Sequence, residues 1–201
     1  MNTDADFVQD LILLTEQAVR CHGKITGDAN AEETFIRDQV AIGLYKKRRM
    51  TVSMEVTRDG FRKCALEAEY DRLPLERFRR FKLDLIVWPV DWQLKAPPYA
   101  IIEFKKGQNF LQDVERTSTL LSVCHQDTLG YEVICRIYKE ERWFEEIEKG
   151  LKKWMQESQN TCGQLQKGEP FQIDVDKKDW CAVFVVPVRR PNNIADNAKP
   201  A

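Results

Sequence analysis

Residues 79–107, RRFKLDLIVWPVDWQLKAPPYAIIEFKKG, decide how the rest of the chain is read. Two apolar runs, 81–90 and 99–104, flank a connector rich in turn residues. Each run carries an acid where a buried strand ordinarily has none. Alternation in the second run sets Ile102 and Phe104 on one face and Ile101, Glu103 and Lys105 on the other. In the first run Asp84 shares a face with Ile86 and Trp88, while Leu83, Leu85 and Val87 take the opposite one. Paired side by side, the two strands bring Asp84, Glu103 and Lys105 to one small patch of an otherwise apolar sheet.

That grouping is the one metal-dependent phosphodiester hydrolysis uses. Two carboxylates hold Mg²⁺ through hard oxygen ligands, and the ion polarises a phosphate and lowers the pKa of an attacking water. A neighbouring lysine orients that water or offsets the developing charge. On these residues the chain resembles the PD-(D/E)XK nuclease superfamily, the restriction-endonuclease-like fold. Asp84 matches its first acidic position and Glu103-Phe104-Lys105 its E-x-K tripeptide. Leu83 stands where the signature proline would be, and 18 residues (85–102) separate the two acids, a long connector. An E-x-K tripeptide alone is nearly worthless, since charged strand ends are common, and the bland alternative is an ordinary surface pair. The order of elements along the chain therefore has to carry the argument.

A chain of 201 residues reads as one domain over 1–190 with a disordered tail over 191–201. Hydrophobic content of 43% and 31% charged residues describe a soluble globular protein. With 31 basic and 32 acidic side chains the net charge is −1, so no global basic field argues for nucleic acid. No window approaches 18 consecutive apolar residues, and the acidic start lacks the basic region of a signal peptide; cytoplasmic is the expectation. Six cysteines lie scattered without a C-x-x-C, which favours reduced, mostly buried thiols over zinc.

Periodicity predicts an amphipathic helix over 5–20, a loop marked by Gly23 and Gly27, and a second helix over 31–47 with a buried stripe of Ile36, Val40 and Leu44. Glu33 lies near the centre of that stripe, whereas Glu32 lies off it. A carboxylate there needs a partner, and two readings stand. Asn30 followed by Glu33 is a capping-box pattern; by resemblance, Glu33 matches the additional acidic metal ligand that many PD-(D/E)XK proteins carry on the helix before the core sheet. A strand follows over 51–57, then a turn at Asp59-Gly60. Arg77, Arg79, Arg80 and Lys82 cluster just before Asp84, either as solvated surface or as contacts to a substrate backbone. Leu73, Leu75 and Phe78 read as anchors of a loop or short helix beside the site.

Beyond the central pair, 108–126 reads as a helix with Asn109 and Gln112 at its start and a stripe of Phe110, Val114, Thr117, Leu121 and Cys124. Asp113 and Glu115 are read as solvent-facing. Residues 131–138 form a strand with Val133, Cys135 and Ile137 on one face and Ile134 on the other. An amphipathic helix over 139–156 carries Trp143, Phe144, Ile147, Leu151, Trp154 and Met155 as core, and 171–175 and 180–188 make a hairpin extending the sheet edge. The order over 31–138 is helix, strand, strand, strand, helix, strand, the core order of the PD-(D/E)XK fold.

The fold expected is a single three-layer α/β domain with a mixed sheet flanked by helices, built on a restriction-endonuclease-like core. The resemblance implies a Mg²⁺- or Mn²⁺-dependent nuclease acting on nucleic acid, DNA ahead of RNA. It implies Asp84, Glu103 and Lys105 as catalytic residues, and Asp84, Glu103, the Phe104 carbonyl and Glu33 as metal ligands. Arg79, Arg80, Lys82 and Lys106 are candidate nucleic-acid contacts. No membrane partner is expected, and a homodimer or larger assembly is compatible with the reading. The rivals are a catalytically silent nucleic-acid-binding or assembly module and a regulatory subunit using the Trp143 helix as an interface.

Overall fold

Strands that are apolar on both faces need cover on both sides, and the central strands of this chain are of that kind. The computed structural model describes residues 4–26, 31–62, 65–66, 82–89, 96–106, 111–158, 161–174 and 178–191. Within them lie α1 (Asp4–Thr26), α2 (Glu33–Arg48), β1 (Thr51–Thr57), the short α3 (Arg58–Phe61), β2 (Lys82–Trp88), β3 (Ala100–Lys105), α4 (Leu111–Ser122), β4 (Leu129–Tyr138), α5 (Trp143–Glu157), β5 (Gln166–Lys167), β6 (Phe171–Asp174) and β7 (Asp179–Val188).

The described strands form one mixed sheet in the order β1-β2-β3-β4-β7-β5, with β6 also paired to β7. Only β3 and β4 run parallel; α4 is the crossover between them. All other pairings are antiparallel. Phe7, Leu11, Ile36, Val40 and Leu44 from α1 and α2 pack against Leu85, Val87, Ile102, Phe104, Val133 and Val183 on one face. On the other face Val114, Leu121, Leu151 and Met155 from α4 and α5 cover Ile86, Ile101, Ile134 and Phe184. Helices on both faces of a mixed sheet make an α/β architecture. Strand parity agrees with alternation except at Leu83, which packs with the α4 side.

Gly130 sets how closely α4 approaches. A Cβ there would stand 2.6 Å from Leu121 Cδ1 and 3.1 Å from Thr117 Cγ2, so the missing side chain lets the helix settle onto β4.

Several boundaries differ from the sequence reading. Helix α1 runs through Gly23 to Thr26, since one glycine in a long helix costs only about 1 kcal/mol. Helix α2 begins at Glu33 with Glu32 as N-cap and no side-chain cap from it; the capping-box reading of Asn30 lies outside the described residues. Asp59-Gly60 sits in the helical turn α3 rather than in a plain turn. Trp143 opens α5 at 45% exposure and is not core, because it lies before the turn that Leu151 and Met155 anchor. Strand β7 is interior, flanked by β4 and by β5 and β6. Residues 192–201, the 67–81 segment with Arg77, Arg79 and Arg80, and Asn109 and Phe110 lie outside the described residues. Among the described residues no helix is long and apolar enough to cross a membrane.

Candidate active site

The antiparallel register of β2 and β3 pairs Leu85 with Ile102, Ile86 with Ile101 and Val87 with Ala100. Asp84 and Glu103 lie directly beyond this paired stretch on their two strands. The Phe104 backbone N–H donates to Asp84 Oδ2 at 2.8 Å, which ties the aspartate to the neighbouring strand. The Asp84 and Glu103 carboxyls lie within hydrogen-bond reach of each other. Glu103 is 1% exposed. Burial pushes its carboxyl up to about 8; Arg116 opposes that rise and the Asp84 charge adds to it.

The parallel register of β3 and β4 then sets Glu132 beside Glu103. Glu132 is fully buried. The Thr117 hydroxyl donates to its Oε1 at 3.1 Å, and its Oε2 has no hydrogen-bond partner among the described residues. Burial first, then the Glu103 and Asp113 charges, raise its carboxyl well above the ordinary range. Glu103 and Glu132 thus sit side by side on the α4 face of the sheet, and Asp84 of β2 acts on Glu103 from the next strand.

Helix α4 supplies the counter-charges. Asp113, Arg116 and Thr117 fall three and four residues apart, hence on one helical face. Arg116 Nη2 donates to Glu103 Oε1 at 2.6 Å and pairs with Asp113 Oδ1 at 2.7 Å. Lys105 Nζ lies 3.2 Å from Asp113 Oδ2 and 3.9 Å from Glu33 Oε1. Burial works against the Lys105 charge, but Asp113 and Glu33 more than offset it and hold its pKa above the usual value. Glu33 Oε2 accepts the Lys106 backbone N–H at 3.3 Å. Partial burial raises the Glu33 pKa, opposed by Lys105 and assisted by Asp84. On the outer side, the buried Arg37 lies 3.9 Å from Asp84 Oδ1 and is held by Asp38 and Glu55 at 2.8 and 3.0 Å.

The structure therefore brings Asp84, Glu103, Lys105 and Glu33 together. The Phe104 ring turns to the opposite face, where it is buried, while its backbone stays at the site. Lys82 is exposed and lies 3.4 Å from Glu55. The Lys106 backbone bridges elements, its carbonyl accepting from Arg136 at 3.2 Å. Asp113 corrects the sequence reading: it is buried beneath Lys105 and Arg116 and is not solvent-facing, whereas Glu115 is exposed. Glu132, Arg116 and Arg37 went unread. A glutamate inside the apolar run 131–138 was the available signal for Glu132, the same anomaly that marks Glu103.

No protein-family model, curated protein or solved structure matches the chain.

Among the described residues no group of three or more His, Cys, Asp or Glu is arranged to hold a metal ion. The donor set still fits Mg²⁺, which takes one or two carboxylates and fills its other positions with waters and substrate phosphates. Two touching carboxyls, one with its pKa raised to about 8, form a pair that a divalent cation would relieve.

Proposed function

We propose that this chain is a Mg²⁺- or Mn²⁺-dependent nuclease of the PD-(D/E)XK kind, hydrolysing phosphodiester bonds in nucleic acid, DNA ahead of RNA. The observation that carries the reading is that the adjacent strands β2 and β3 bring the Asp84 charge to bear on the buried Glu103, with Lys105 one step along the same face. The helix-strand-strand-strand-helix-strand order around that contact supports a restriction-endonuclease-like core.

In this reading Asp84, Glu103 and the Phe104 carbonyl hold the cation, and Glu33 is within reach through its contacts to Lys105 and Lys106. The cation, when bound, polarises the scissile phosphate and lowers the pKa of its water. Lys105, aimed by Asp113 and Glu33, orients the attacking water and offsets charge on the phosphorane. Arg37 steadies Asp84 from the β1 side. Lys82 and Lys106 are candidate backbone contacts beside the site, and Arg79 and Arg80 remain candidates on the sequence alone.

One observation favours the second reading, a catalytically silent binding module: Arg116 already pairs with Glu103 without a metal. Incubating the purified protein with labelled single-stranded and duplex DNA and RNA, in Mg²⁺ or in EDTA, separates the two. EDTA-sensitive cleavage lost in Lys105→Ala supports the nuclease. Metal-independent retention without cleavage supports the module, and neither result removes both.

A further inference from the structure

The nuclease reading leaves two atoms of the site unexplained. Arg116 Nε and Glu132 Oε2 are buried, and neither has a hydrogen-bond partner among the described residues. One is a donor on a cation and the other an acceptor on an acid. They belong to side chains that already influence each other electrostatically. Native proteins seldom leave complementary groups both unsatisfied. The rest of the geometry shows what separates them. Arg116 spends Nη2 on Glu103 and Asp113, on the β3 side, while Glu132 is anchored through its other oxygen by Thr117, one residue further along α4.

A guanidinium on Glu103 also poses a problem for cation binding, because it occupies a carboxyl oxygen that the cation needs. Expelling it into solvent would strand a long side chain from a helix packed against the sheet. Glu103 and Glu132 are direct neighbours across β3 and β4, and Asp113 can hold Arg116 in either position from the same helical face. A second seat for the guanidinium is therefore built next to the first.

We propose that Arg116 is a mobile side chain: it pairs with Glu103 in the metal-free protein and moves to Glu132 when a divalent cation takes its place, with Asp113 as its pivot. Glu132 is thus a positioning residue that sets cation affinity without touching the cation. This rests on the proposed metal site at Asp84 and Glu103.

The test uses Mg²⁺ alone as the probe. In ¹⁵N-labelled wild-type protein, the Arg116 Nε–H resonance, identified by its loss in Arg116→Lys, is followed through a Mg²⁺ titration. It is expected to shift and to become protected from exchange as the cation binds. Calorimetry then compares four proteins. Arg116→Gln removes the competitor and is expected to tighten Mg²⁺ binding by roughly tenfold, within the usual range of coupling between sites. Glu132→Gln removes the second seat and is expected to weaken it by roughly tenfold. In the Arg116→Gln background, Glu132→Gln should change affinity little, because no guanidinium is left to move. An equal loss in both backgrounds overturns the proposal, since that is the plain field of Glu132 on the cation. An Arg116 resonance that stays fixed while Mg²⁺ binds overturns it too, and needs no variant of Glu132 to fold. Wild type that binds no Mg²⁺ removes the nuclease reading along with the switch, which keeps the two failures distinguishable.

Discussion

Glu103→Gln in EDTA should make the protein less sensitive to alkaline pH, and the size of the effect follows from the site. In the unfolded chain the Glu103 carboxyl ionises near its ordinary 4.5, and in the fold near 8. Below pH 4.5 it is protonated in both states and costs nothing. Between 4.5 and about 8 the unfolded chain has released the proton while the fold keeps it, so stability falls as pH rises. At about 1.4 kcal/mol per pH unit the full loss is at most about 5 kcal/mol, a large share of the roughly 5–15 kcal/mol that holds a domain together. Glutamine keeps an acceptor for Arg116 and carries no proton to lose. The two proteins should therefore melt alike near pH 5 and diverge by pH 9. For a chain of this size, about 2–4 °C per kcal/mol gives a difference of about 10–20 °C in favour of the variant. Thermal unfolding at half-unit pH steps reads this directly. A difference that does not grow with pH, or that grows in favour of wild type, would refute the buried acid pair.

Asp84→Asn can keep its acceptor for the Phe104 N–H while removing the charge that helps to raise the Glu103 carboxyl. It should preserve or raise the melting temperature in EDTA and abolish the Mg²⁺-dependent rise expected of a ligand that binds only the fold; destabilisation together with a wild type that ignores Mg²⁺ would make Asp84 a structural acid. Lys105→Ala should retain Mg²⁺ binding by calorimetry, lose cleavage, and melt lower in EDTA, because Asp113 loses a partner at 3.2 Å. Glu33→Gln should weaken Mg²⁺ binding while leaving the EDTA melting curve within about 1 kcal/mol of wild type. Unchanged affinity would confine Glu33 to its bond with the Lys106 backbone.

Alternation grouped Asp84 with Ile86 and Trp88 on one strand, and Glu103 with Ile101 and Lys105 on the other. That the two groups meet was not legible from either strand alone, because register depends on the connector over 89–99. Glu132 was missed although its parity with Ile134 already assigned it to the same face as Glu103. What hid it was the reading of 131–138 through its apolar residues. Asp113 was misjudged because helical periodicity ranks positions by hydrophobicity, and a buried acid on the flank of the Val114-Thr117-Leu121 stripe looks like surface until its partners are known. Lys105 and Arg116 are those partners, one from β3 and one from the same helix. For Glu33, helix geometry gave the direction correctly; only the third dimension showed Lys105 and Lys106 there in place of a cap.

The proposed function stands or falls on whether Asp84 and Glu103 hold a divalent cation. Substoichiometric Mn²⁺, added to ¹⁵N-labelled protein, broadens backbone amide signals close to where it binds. Early and selective loss of the amides of Asp84, Glu103, Phe104 and Lys105 is expected, with Lys106 and Glu33 following, and recovery of all of them in Asp84→Asn. Selective broadening on the exposed acidic surface of α5 around Glu145 and Glu146, with the Asp84 and Glu103 amides untouched, would contradict it.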